Sequence, residues 1–179
     1  MAILNFQKPE RILLQKGADD FEGIFEFKPL EPGFGQTVGN SLRRVLLSSL
    51  EGFAISAIRI ATVDHEFSSI RGVVQDVVEI ILNLKQVRLK HIIADEDVAS
   101  EKIYLTISNK TEFRAGDIEE HTNVFKVMNP ELLICEMEPF VNLEMELTVT
   151  RGRGYVPSEE NMPKDAPIGV IPMDAIYTP

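Results

Sequence analysis

Residues 30–50 read LEPGFGQTVGNSLRRVLLSSL, a glycine-rich turn running into a helix that is apolar on more than one face. Pro32, Gly33 and Gly35 interrupt regular structure and mark a bend ahead of the periodic segment. Thr37 is the natural N-cap, and Gly52 is the expected residue just past the helix end. At 3.6 residues per turn, Val38, Leu42, Val45, Leu46 and Ser49 share one side with Leu50 at its margin, while Asn40, Arg44, Ser48 and Glu51 lie opposite. Leu47 is the odd residue, since the projection sets it amid the polar side. A lone exposed leucine is ordinary protein surface. Arginine is enriched where proteins meet, so Arg44 beside Leu47 reads as a charged anchor next to an apolar one.

Gly33, Gly35 and Gly39 also spell GxGxxxG ahead of a helix, close to a dinucleotide-binding turn. That fingerprint needs a buried strand leading straight into the first glycine and an acid about 20 residues on, at the end of a second parallel strand. Here KPLEP intervenes, the next strand-like run covers 54–63, and its first acid is Asp64. No Gly-Lys-Ser/Thr phosphate loop is present. The alternative reading, a small nucleotide-binding enzyme built on the turn over 33–39, stands on a weak signal.

Outward from this helix, the pattern is mostly that of strands. FEGIFEFK, residues 21–28, alternates Phe21, Gly23, Phe25 and Phe27 against Glu22, Ile24, Glu26 and Lys28, as a half-buried strand does. A strand over 54–63, a loop around 65–71 and a second helix over about 73–87 follow. On that helix Val74, Val77, Val78, Ile80, Ile81, Leu82 and Leu84 form a wide apolar arc against Gln75, Asp76, Glu79 and Asn83. Further strands are expected at 103–109 and 132–137. The clearest covers 143–150, where Leu143, Met145, Leu147 and Val149 alternate with polar residues and antiparallel pairing is the natural form. RGRGYVP, residues 151–157, would suit an RNA contact, but one copy directly after an alternating strand reads better as a bulge or tight exit. The polar, proline-flanked segment 158–167 reads as a loop. The fold class expected is α+β with mainly antiparallel sheet.

Composition bounds the function. The chain has 179 residues, 44% of them hydrophobic, enough for a proper core in one domain or two small ones. Its formal charge of −10 has the wrong sign for a domain that draws affinity from phosphates, so direct nucleic-acid contact is not expected. No apolar run reaches the length of a membrane span and no signal peptide heads the chain, so a cytoplasmic protein without a membrane partner is expected. Cys135, the one cysteine, lies in the apolar run LLIC and is expected to be a buried thiol. His65, His91 and His121 have no metal-ligand spacing and read as scattered surface residues. The pairs Glu119 with Glu120 and Glu159 with Glu160 read as solvated faces, and no DxDxD-type cluster would hold magnesium for nucleotidyl transfer. Neither catalytic residues, a metal site nor a cofactor is expected.

Three motifs then carry a resemblance. LEPGFGQTVGNSLRRVLLSSLEGFAISAIRI, VVEIILNLK at 77–85 and RGRGYVP, in that order and approximate spacing, resemble the amino-terminal domain of the bacterial RNA polymerase alpha-subunit family over nearly the whole chain. The resemblance implies a non-catalytic assembly subunit of DNA-directed RNA polymerase. It implies a discontinuous dimerisation domain, 1–52 plus 173–179, with 53–172 as an inserted domain. It further implies a homodimer on which the beta and beta-prime subunits assemble. Arg44, Leu47 and Glu79 match family positions that meet beta, while Lys85 and Met173 match positions linked to beta-prime. Val38, Leu42, Val45 and Leu46 fall on the dimer and core face. Family members continue past IYTP, residues 176–179, with a strand, a long helix that completes the dimer core, a linker and a DNA-binding domain. The dimerisation part is therefore expected to be incomplete here, with some of the apolar helix face left in water.

Overall fold

The computed structural model describes residues 7–17, 22–92, 99–162 and 166–178. It forms two compact units, Met1–Leu46 and Leu47–Pro179. The first contains an antiparallel hairpin, β1 (Arg11–Lys16) paired with β2 (Gly23–Lys28), and most of α1 (Phe34–Ser48). β2 realises the strand expected over 21–28, although Phe21 lies outside the described residues. Its apolar alternation does not produce a buried face: Ile24 and Phe25 are both exposed and Phe27 is half-buried.

α1 starts earlier than its sequence suggests. The Phe34 N–H donates to Glu31 O at 3.1 Å, closing a turn in which Gly33 adopts φ 90°. Helix follows at once, so Gly35 and Thr37 lie inside it; Thr37 is not the N-cap, and its carbonyl accepts a bond from Ser41 Oγ at 2.8 Å. Nor is Gly52 a helix terminator, because it is already the second residue of the next strand.

The second unit runs β3 (Glu51–Ile60), α2 (Val77–Leu84), β4 (Leu89–His91), β5 (Ser100–Ser108), β6 (Glu112–Arg114), α3 (Ala115–Glu119), β7 (Phe125–Val127), β8 (Leu133–Glu136), β9 (Asn142–Arg153), β10 (Tyr155–Val156), α4 (Ser158–Asn161), β11 (Val170–Pro172) and β12 (Ala175–Ile176). Its main sheet has six antiparallel strands in the order β5-β9-β3-β4-β7, with β11 joining β3. Small ladders pair β6 with β8 and β10 with β12. On β9 the alternation holds as expected, Leu143, Met145, Leu147 and Val149 being buried. On β3 it does not, because five successive residues from Ala54 to Ile58 are buried. A bulge between Ile55 and Ala57 explains this, with Ser56 as the extra residue: its Oγ donates to Thr148 O at 3.3 Å and its carbonyl accepts the Met173 N–H at 2.8 Å.

α2 is shorter than the expected 73–87. Asp76 caps it, accepting the Glu79 N–H at 2.7 Å, so the helix begins only at Val77. Val77, Ile80, Ile81 and Leu84 are buried, whereas Val74 and Leu82 of the expected arc are exposed. The main core joins this helix face to the inner residues of β3, β5 and β9 and to Phe113, Ile118, Phe125 and Cys135. A second, small cluster gathers Ala54, Ala175 and Tyr177 with Val156. There Gly52 and Gly152 face each other across β3 and β9, and both leave room for Tyr177. A Cβ on Gly152 would lie 2.5 Å from the Tyr177 ring, and one on Gly52 would lie 2.0 Å from the Tyr177 carbonyl oxygen. The glycines of RGRG thus serve a tyrosine seat and a turn, Gly154 adopting φ 62°. The segment expected to be a loop over 158–167 opens with α4, whose Asn161 Nδ2 donates to Met173 O at 2.8 Å.

Candidate functional site

The residues that the sequence singles out fall on two helices. On α1, Arg44 and Leu47 are three positions apart and share one side. Leu47 is 53% exposed. Val38 is half-buried while Leu42, Val45 and Leu46 are exposed, so the proposed core face closes no core of its own and no residue of α1 is buried. Apolar groups on more than one side of the helix, none of them buried, leave an exposed hydrophobic patch of the kind that marks interaction surfaces.

The second group lies along α2. Glu79 is exposed in the first turn, where its backbone is held by the Asp76 cap. Lys85, at the helix end, and Met173 are brought together by an ion pair between neighbours 89 residues apart in sequence, Lys85 Nζ to Asp174 Oδ2 at 2.7 Å. The other carboxylate oxygen of Asp174 accepts the Ser158 N–H at 2.9 Å. Lys85 first, and then this N–H, hold the Asp174 carboxyl below its usual range. Beside the pair opens a cleft of about 370 Å³ lined by Phe67, Val78, Leu82, Lys85 and Asp174, with Met173 beneath. Met173 is only 1% exposed, so its side chain belongs to the core and the outer surface is made by Phe67, Leu82 and Lys85.

A third constellation was not legible in the sequence. Glu51, three residues past the end of α1, binds both arginines of RGRG: Arg151 through one carboxylate oxygen, and Arg153 through the other, with Arg153 Nε at 3.1 Å. Arg153 and then Arg151 lower the Glu51 carboxyl from its ordinary value. The register explains the convergence, since Glu51 stands opposite Arg153 and Phe53 opposite Arg151 on antiparallel strands. Only knowledge of that pairing could have pointed to it.

Groups weighed for chemistry are held in structural roles. Cys135 is fully buried as expected, and burial pushes its thiol up to about 12, far from thiolate reactivity. His91 is not a surface residue: it is half-buried, stacked on Phe53 at 5.3 Å and edge-on to Phe125 at 5.7 Å. Glu119 is half-buried and accepts the Val127 N–H at 3.0 Å, so it is more than a solvated charge. Among the described residues, no group of three or more His, Cys, Asp or Glu is disposed to hold a metal ion, and no helix is long and apolar enough to cross a membrane. The geometry that a dinucleotide turn requires is not met, because Gly35 and Gly39 lie within α1 and the preceding strand, β2, pairs antiparallel in an exposed hairpin.

The family model described as RNA polymerase Rpb3/RpoA insert domain matches residues 58–178. The chain is 56% identical over its whole length to the DNA-directed RNA polymerase subunit alpha of Flavobacterium psychrophilum, covering 53% of that protein. The corresponding subunit of Cytophaga hutchinsonii is 55% identical with the same coverage. That of Salinibacter ruber is 47% identical over 97% of this chain and 51% of the relative. The chain spans about half the length of these curated relatives.

Proposed function

Because the chain belongs to the bacterial RNA polymerase alpha-subunit family, we propose that it acts as a non-catalytic assembly subunit of DNA-directed RNA polymerase, a cytoplasmic nucleotidyltransferase. In this reading residues 1–52 and 173–179 belong to a dimerisation domain, and 53–172 form the inserted domain. The face of Val38, Leu42, Val45 and Leu46 serves the dimer, Arg44, Leu47 and Glu79 meet the beta subunit, and Lys85 with the surface above Met173 meets beta-prime. The chain itself makes no direct nucleic-acid contact and carries no active site.

One observation carries the reading: α1 offers apolar side chains on more than one side, none buried, on a chain whose family is a polymerase subunit. Nothing in the geometry favours the nucleotide-binding alternative. The test is capture of the chain by immobilised beta subunit. Arg44→Ala and Leu47→Ala should each weaken capture by about tenfold or more, the scale of an interface hot spot of roughly 2 kcal/mol. Their melting temperatures should stay near the parent's, since exposed substitutions change stability by about 0.5 kcal/mol or less. Undiminished capture by both variants would refute the assignment, and a thermal shift with nucleotides would revive the alternative.

A further inference from the structure

Resting on that reading, the geometry points to a residue to which the resemblance gave no role: we propose that Glu51 is a positioning residue for the beta-subunit contact, acting through Leu47. α1 ends at Ser48 and β3 begins at Glu51, so only Ser49 and Leu50 separate them. A link this short leaves few free backbone torsions between Leu47 and a fixed strand residue of the same unit. Glu51 is fixed from two sides by Arg151 and Arg153, the arginine of β9 opposite it engaging through both Nε and a terminal nitrogen.

A second observation, independent of the ion pairs, lies at the other side of the same turn. Leu47 and Ser48, which belong to the larger unit, lay their backbone on Gly154: a Cβ there would stand 3.7 Å from Leu47 O and 3.6 Å from Ser48 O. Gly154 is buried and has φ 62°, a conformation that favours glycine. Leu47 and Ser48 are thus seated against the RGRG bend, and Glu51, three residues after Ser48, is tied to both arginines of that bend. Leu47 is held with its carbonyl against the bend while the residue as a whole stays 53% exposed. The Glu51 cluster is itself exposed, and exposed ion pairs contribute little to stability, so its value lies in direction.

The experiment is a double-mutant cycle on beta-subunit capture with the whole chain. Glu51→Gln and, separately, Arg153→Gln should each weaken capture on the order of fivefold with a parental melting temperature, and Glu51→Gln should add no further loss in a Leu47→Ala background. Glu112→Gln, which breaks an exposed pair with Arg114 on β6, should capture like the parent. Full capture by Glu51→Gln, or losses that simply multiply when it is combined with Leu47→Ala, would overturn the inference while leaving the function reading intact. A parent chain that the beta subunit does not capture would overturn both.

Discussion

Asp174 shows how one residue can join distant segments at modest cost. Its carboxylate receives Lys85 from the end of α2 and the Ser158 N–H from the start of α4. Because its folded pKa is lowered, the stabilisation is complete above the unfolded value of about 4 and fades as pH falls through the folded value. Asp174→Asn should therefore lower stability by about 1 kcal/mol at pH 7, with the gap to the parent narrowing below about pH 4 in parallel denaturation curves. A gap that widens in acid would mean that the ion pair is not the source. The tyrosine seat invites a sharper test. Gly152→Ala should cost about 1–3 kcal/mol, since the new methyl meets the Tyr177 ring at 2.5 Å, whose hydroxyl is held 2.7 Å from Thr150 Oγ1. Removing the ring should remove the conflict, so in a Tyr177→Ala background the same substitution should be nearly neutral in thermal denaturation.

At the scale of elements, strong alternation and strong periodicity were legible, and ends were not. β9 and the inner face of α2 follow their patterns because each buries one side only. The start of α1 was misread because a glycine-rich turn and a helix's first turn share their residue types, and Gly35 meets nothing within 4 Å inside the helix. β3 is expected as a strand and is one, but it runs Glu51–Ile60 and not 54–63, and its bulge at Ser56 is announced by no local pattern. β1 lies in a stretch where no element is expected, and Gly52 reads as a helix stop because its actual reason, Tyr177, lies 125 positions away. Of the candidate site, the helices carrying Arg44, Leu47, Glu79 and Lys85 were legible, while the partners Asp174 and Glu51 depended on pairings made by the fold. The exposure of α1 yields a prediction at this scale. Leu42→Ala and Leu46→Ala should each shift the stability of this chain by about 0.5 kcal/mol or less, in place of the roughly 2–5 kcal/mol of a buried leucine. A large loss in calorimetry for either would show that the face is covered in solution.

For the whole molecule, the contrast between the two units matters most. The larger holds the main core and a small second cluster, whereas the smaller has no buried residue among those described and exposes Ile12, Leu14, Ile24 and Phe25 on its hairpin and Leu42, Val45 and Leu46 on α1. Apolar surface on this scale drives self-association. Light scattering should show an apparent mass that rises with protein concentration, and Leu46→Glu should flatten that rise. A concentration-independent monomer would mean that these side chains find cover within the chain.

The order of strands in the main sheet has a consequence in time. β3 lies in the middle of that sheet, yet its long neighbour β9 begins only at Asn142 and β11 only at Val170. On a ribosome, β3 is therefore made early and completed late, with its pairing edge and five consecutive buried-type residues waiting while roughly another half of the chain is added. Such distant pairing places the chain among slow folders, on the scale of about milliseconds to seconds, and gives chaperones something to hold in the interval.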